Sequence, residues 1–243
     1  MKALDKTVDV FDKILNFIIY SLFLILLIFG IYSLKNSLSI LDDSELPKDI
    51  VRLRPDKRLS LEELQKINKD IVGWIRINNT HIDYPIVKGK DNTEYLNKDY
   101  KKEFSLSGSI FMDYRNSSTH ADPYTMIFGH NMDRKKMFGD INNYKEKAYF
   151  KKHKTGKLYL GHNTYKFKLY AYMLVDGYSN TIYDINRYHD GITNEIINYI
   201  KNEADVYIKT DVKTSDKLVV LSTCSRSDEK KRTILIGRIK GKA

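Results

Sequence analysis

Cysteine is almost missing from this chain: one of the 243 residues, Cys224, is a cysteine. An intramolecular disulfide is excluded, and so is a zinc site built on a cysteine pair. The six histidines are scattered, which argues against an imidazole-based metal cluster, and no cofactor is expected. The net charge of +10 has no zinc-finger spacing or basic-helix pattern behind it, so nucleic acid is not the expected partner. Internal repeats and low-complexity tracts are missing too. Residues 14–34 carry no charge at all, and no small-x-small cleavage site follows them in Ile31-Tyr-Ser-Leu-Lys35. That second absence favours a retained anchor over a cleaved signal peptide.

What is present is a foldable chain, 42% hydrophobic and 30% charged, with an excess of cations suited to an anionic membrane surface or wall. The uncharged stretch of 21 residues is long enough, at ~1.5 Å per residue, to cross a hydrocarbon core of ~30 Å. Lys2, Lys6 and Lys13 precede it and only Lys35 follows closely. Residues 1–13 are therefore expected to be cytoplasmic, 14–34 to be a transmembrane anchor, and the bulk to be exported. Residues 35–59, with mixed charge, Pro47 and Pro55, read as a linker. Residues 60–243 read as one domain.

That domain opens on the capping box Ser60-Leu-Glu-Glu63, which predicts a helix from Leu61 to Asn68. Strand patterns follow at 74–77, 82–87, 108–113 and 124–128, with Pro85 confining the second to an edge or a bulge. Residues 92–97 suggest one helical turn, and 137–149 have helical character. Residues 157–160 and 164–175 predict a hairpin around Gly161-His-Asn163. Ile192, Ile196, Ile197 and Ile200 recur at helical spacing, so a helix is inserted before the last strands. The sum is a β-barrel or twisted sheet of about seven or eight strands with peripheral helices.

The chemistry gathers near the C-terminus. Lys217-Leu-Val-Val-Leu-Ser-Thr-Cys224 and Arg232-Thr-Ile-Leu-Ile-Gly-Arg-Ile239 are two β-rich runs separated by seven residues, and they predict an antiparallel hairpin. Such pairing sets Cys224 opposite Arg232. A lone thiol beside a cation is a candidate nucleophile. The competing reading is an inert buried thiol, but an exported protein has little reason to keep one odd cysteine unless it is used. Acyl transfer also needs a proton donor for the leaving amine. His130 ends an apolar strand in Ile127-Phe-Gly-His-Asn, whereas His81, His120, His153, His162 and His189 lie in turns or polar surroundings.

Leu221-Ser-Thr-Cys224 with Arg232 eight residues on, Gly129-His130-Asn131, and Ser109-Ile-Phe-Met-Asp-Tyr-Arg-Asn116 together resemble a class B sortase from about residue 60 onward. The resemblance implies a mostly β fold: an eight-stranded sortase-type barrel with an N-terminal helix and a helix before the penultimate strand. It implies a cysteine transpeptidase of Gram-positive cell walls, with Cys224 as nucleophile, His130 as general acid/base and Arg232 as stabiliser of oxyanion and substrate. Substrate contacts carry over by position to Leu96, Ser222, Thr223, Thr181, Ile182 and Tyr183. The implied partners are surface proteins bearing a sorting signal, cleaved after Thr, and an amine of a peptidoglycan precursor or stem peptide. Where some relatives carry acidic residues after the cysteine, this chain has Ser225-Arg226-Ser227. A hydrolytic cysteine peptidase, a pilin-polymerising sortase and a non-catalytic anchored binding module are the alternatives.

Overall fold

The computed structural model describes residues 2–43, 46–54, 61–224 and 230–242. Ser60 of the capping box and the Ser225-Arg226-Ser227 stretch lie outside them. Two units are present, residues 1–42 and 43–243.

The first is a single helix, α1 (Lys2–Asp43), whose apolar window Phe11–Ser39 has a mean hydropathy of 2.7. It is apolar all round, with side chains such as Phe17, Phe23 and Phe29 exposed, as suits a span in lipid and not an amphipathic surface helix. The helix continues beyond residue 34 into the stretch expected to be a linker, and a short helix α2 (Lys48–Arg52) follows there.

In the second unit α3 (Leu61–Ile67) precedes the strands β1 (Ile71–Ile77), β2 (Asp83–Val87), β3 (Phe111–Met112) and β4 (Tyr124–Phe128). Then come α4 (Lys147–Lys152), β5 (Thr155–Leu160), β6 (Asn163–Asp176), α5 (Asn180–Tyr183), α6 (Asn194–Glu203), β7 (Val206–Tyr207), β8 (Lys217–Cys224) and β9 (Lys231–Lys242). The order β5-β1-β2-β3-β4-β8-β9-β6 returns to β5 through a further β5–β6 pairing, which closes an eight-stranded barrel. Two-residue β7 is appended to β6 outside the ring. Two of the pairings, β2–β3 and β4–β8, are parallel and the rest antiparallel. The β5–β6 hairpin turns through Gly161, whose φ of +54° suits glycine in a two-residue turn.

Every barrel strand contributes to one interior core, including Ile75, Ile86, Met112, Ile127, Leu158, Phe167, Leu221 and Leu235. The outer face of β4, β6, β8 and β9 is covered by α5 and α6, with Ile182, Ile196 and Ile200 buried against Met126, Val220 and Ile234. α2 and α3 cover the opposite side through Ile50 and Leu64 against Trp74 and Tyr159. This explains the unbroken apolar run of β8. Leu218 and Val220 face the helical layer while Val219 and Leu221 face the interior, so both sides of the strand are dry.

Pro85 pairs with Trp74 on one side, and the β2–β3 pairing touches only at Val87 and Phe111. The proline thus occupies a stretch of β2 with no ladder to serve on its β3 side. Two expectations need correction. The strand expected over 108–113 is only Phe111–Met112, because Gly108 turns at φ +57°. The helix expected over 137–149 is a 3-10 segment, Gly139–Lys145, followed by α4. Met137 takes φ +50° in a bridge with Asn131, and a helix cannot start through it. Residues 92–97 make only one turn: Asp91 Oδ1 accepts from Thr93 N and Glu94 N, and Leu96 N donates to Thr93 O.

Candidate active site

β4 and β8 run parallel and in register, from Tyr124 beside Leu218 to Phe128 beside Ser222. Parallel neighbours end at the same rim, so the residues after Phe128 and after Ser222 emerge together. They are Gly129-His130 and Thr223-Cys224. β9 runs back from that rim, and its register sets Arg232 opposite Cys224 and Thr233 opposite Thr223. Sequence pattern alone anticipated the second pairing, which is local, but not the first, which joins strands about ninety residues apart.

A cleft of about 150 Å³ opens at this rim, lined by Asn92, Leu96, Phe111, Phe128, Gly129, His130, Ser222, Thr223 and Arg232. Phe111 and Phe128 stack at 5.2 Å within it. The imidazole of His130 has a defined hydrogen bond: Nε2 lies 2.8 Å from the carbonyl oxygen of Leu96. A carbonyl only accepts, so Nε2 carries a proton and Nδ1 is the nitrogen left for proton exchange. The backbone behind it is fixed, since Phe138 N donates to His130 O at 2.9 Å and Gly129 N donates to Ser222 O at 3.2 Å. Two glycines make the fit possible. A Cβ on Gly129 would lie 2.4 Å from Ile110 Cδ1, and one on Gly108 would lie 2.4 Å from Leu96 O and 3.0 Å from His130 Cδ2.

Arg232 is half-buried at the cleft, with Nη1 donating to Lys231 O at 3.1 Å and its guanidinium packed over Gly177. The Thr223 hydroxyl is buried and has no hydrogen-bond partner among the described residues. Ser222 Oγ is 3.0 Å from the Tyr183 hydroxyl, and the Tyr183 ring stacks with Phe128 at 6.4 Å. Of the expected substrate contacts, Leu96, Ser222 and Thr223 therefore line the cleft and Tyr183 backs it. Ile182 is fully buried in the α5–α6 layer, with its carbonyl accepting from the Tyr124 hydroxyl. The Thr181 carbonyl accepts from the Tyr188 hydroxyl at 2.6 Å. Neither Thr181 nor Ile182 is part of the cleft lining.

The other histidines are engaged elsewhere: His81 with Asp140, His120 with Ser117 and Thr119, His153 with the Tyr149 carbonyl, His162 near Glu62 and His189 with Asp190. Among the described residues no group of three metal-ligating side chains occurs. The residue that sequence reading passed over is Asn92. Its amide Nδ2 donates to Asp113 Oδ2 at 2.8 Å and its Oδ1 accepts from Tyr114 N at 3.1 Å. A short polar side chain four positions before Leu96 gave no periodic signal.

A closed mixed barrel whose parallel strands bring a cysteine and a histidine to one rim, with an arginine across the register, has the design of a cysteine transpeptidase. The sortase domain profile matches residues 75–240. Sortase B of Listeria monocytogenes is 34% identical over 217 residues, covering 86% of this chain and 87% of the relative. A Streptococcus pyogenes class B sortase involved in pilus biogenesis superposes with a TM-score of 0.68 at 36% identity, over 74% of this chain and 97% of that one. Staphylococcus aureus sortase B superposes with a TM-score of 0.67 at 30% identity, over 75% and 86%. The chain belongs to the sortase family, within class B.

Proposed function

We propose that the chain cleaves a C-terminal sorting signal after a threonine and transfers the acyl group to an amine of the cell-wall peptidoglycan. The observation that supports this most is the parallel β4–β8 register, which ends His130 and Cys224 at one rim beside the cleft. The Cys224 thiolate attacks the threonine carbonyl carbon. His130, protonated, gives the proton on Nδ1 to the departing amine while Nε2 stays on the Leu96 carbonyl. A thioacyl-enzyme results. The acceptor amine then attacks the thioester, His130 takes back the proton, and the thiolate leaves. Arg232 holds a fixed positive charge for the oxyanion, because a guanidinium does not deprotonate. Leu96, Ser222 and Thr223 contact the signal directly, and Tyr183 acts through Ser222.

α1 anchors the chain in the membrane with residues 1–13 cytoplasmic and the domain outside, which sets the cleft where surface proteins and wall precursors emerge. A second reading has one supporting observation. The S. pyogenes neighbour is described as involved in pilus biogenesis, so a lysine ε-amine on another pilin subunit is an alternative acceptor.

The test takes the full chain in detergent, internally quenched pentapeptides containing Thr-Gly or Thr-Asn bonds, and an amine acceptor, with mass spectrometry of the products. Cleavage after Thr and an amide to the acceptor are expected, both lost in Cys224→Ala. Cysteine-dependent hydrolysis that ignores every acceptor would replace the transferase with a peptidase. Turnover surviving in Cys224→Ala would end the proposal.

A further inference from the structure

The motif Ser109–Asn116 served only to recognise the family, yet within it lies an ion pair that touches both sides of the cleft. Asp113 follows β3 and has a fully buried carboxylate. It accepts from Arg115 Nε at 2.9 Å, from Arg115 Nη2 at 2.8 Å and from Arg115 N at 3.0 Å. A fourth donor is Asn92 Nδ2 at 2.8 Å. The same Nη2 of Arg115 also donates to the carbonyl of Tyr183 at 2.8 Å, and Nη1 lies 4.0 Å from Asp184.

These contacts join the β2–β3 connection to the end of α5. Asn92 lines the cleft from the β2–β3 connection. Tyr183 ends α5 and backs the cleft through its hydroxyl on Ser222 and its ring on Phe128. Asn92 is also held at both ends of its amide, Nδ2 on Asp113 and Oδ1 on Tyr114 N, so its amide cannot turn over without losing both bonds. A forked guanidinium gripping a carboxylate with one edge and a carbonyl with the same arm fixes distance as well as angle.

We infer that Asp113 and Arg115 are positioning residues that set the gap between the Asn92 side and the Tyr183–Ser222 side of the peptide cleft, and so determine how tightly an extended peptide is held. The inference rests on the peptidyl-transfer reading above. Neither residue lines the cleft, and neither takes part in the chemical steps.

Replacing Arg115 by glutamine removes the fork. The gap loosens, and peptide binding suffers before the chemistry does. The effect belongs in KM. Replacing Arg115 by lysine keeps a cation beside Asp113 but cannot reach carboxylate and carbonyl together. Lysine is thus expected to recover stability and not binding.

The experiment compares wild type, Arg115→Gln, Arg115→Lys and Asp113→Asn as full chains in detergent. Each is assayed with the best-cleaved peptide of the quenched panel, by thermal unfolding, and by the rate of Cys224 alkylation with iodoacetamide. We expect kcat/KM of Arg115→Gln to fall about ten- to a hundredfold, carried by KM. Alkylation should be unchanged. Arg115→Lys should return the melting temperature towards wild type while KM stays high. If lysine restores KM together with melting temperature, the pair is a folding element only and the inference is overturned. It is equally overturned if the loss falls on kcat, or if all variants match an active wild type. A wild type that cleaves no peptide removes the functional reading itself, and this inference with it.

Discussion

One side of the cleft is made of strand ends and the other of irregular loop, and the two are held by different forces. On the strand side, Phe128, Ser222, Thr223 and Arg232 stand on β4, β8 and β9, whose ladders are buried on both faces, and Gly129 and His130 follow directly on β4. Their placement follows from apolar burial and register. On the loop side, Asn92 and Leu96 stand on a stretch without regular structure, stitched by side-chain hydrogen bonds to Asp91 and Asp113, beside the β3–β4 connection that Asn116 fastens to β4. The strand side is expected to tolerate the loss of a polar side chain and resist volume changes. The loop side should do the reverse.

The largest expected effect is on the loop side. Asn116 is 3% exposed; its Nδ2 donates to Asp122 Oδ2 at 2.8 Å and to Tyr124 O at 2.9 Å, and its Oδ1 accepts from Met126 N at 2.8 Å. It replaces missing backbone partners where the chain turns from β3 into β4. Asn116→Ala takes this side-chain partner from the buried Met126 N and Tyr124 O and should cost about 2–4 kcal/mol. Thermal unfolding of the variant checks it. A melting temperature equal to wild type would mean that the loop side is not held by polar contacts, and the contrast would collapse.

A somewhat smaller effect is expected on the strand side, from volume. Gly129→Ala puts a methyl 2.4 Å from Ile110 Cδ1 and 2.8 Å from Phe138 Cδ2. Overpacking of this kind costs roughly 1–3 kcal/mol. Because His130 is the next residue, its Nε2 bond to Leu96 should slip, and kcat should fall while the alkylation rate of Cys224 holds. Steady-state kinetics beside the alkylation rate read this directly. Unchanged kcat with lowered stability would show that His130 is held by the loop and not by the strand end.

The same division explains what sequence could reveal. β4, β8 and β9 were legible because β-branched and aromatic residues fill both faces of each, and the β8–β9 register followed from one short connection. His130 and Cys224 were found as strand ends. Their adjacency was not readable, because parallel pairing of β4 with β8 is a property of barrel closure and leaves no mark in either run. α5 was passed over because Asn180-Thr-Ile-Tyr183 is a single turn with one buried residue, Ile182. The Asn92–Asp113–Arg115 contacts were invisible for a different reason. Hydrogen bonds between short polar side chains have no periodicity, and Asp113 read as the polar end of a strand although it is among the most buried carboxylates of the domain.

The smallest expected effect separates the two sides by pH. Burial alone would raise the Asp113 carboxyl, but hydrogen bonds from the Arg115 side chain and backbone and from Asn92, with the Arg115 charge, outweigh it and hold the group below the ordinary carboxylate range. A carboxyl depressed on folding stabilises the fold fully above its unfolded value, ~3.9, and that contribution is lost as pH falls through the lower folded value. Acid should therefore loosen the loop side first, since β4 and β8 depend on Met126, Ile127, Val219 and Val220, which do not titrate. Hydrogen exchange followed down from pH 6, corrected for intrinsic rates, should show Tyr114 and Arg115 amides losing protection at a higher pH than those of Val219 and Leu221. In Asp113→Asn the pH dependence of that loss should flatten, because asparagine has no proton to take up. Simultaneous loss on both sides would mean that the barrel and its loop open as one unit, and that the strand-built and loop-built halves of the cleft are not separately held.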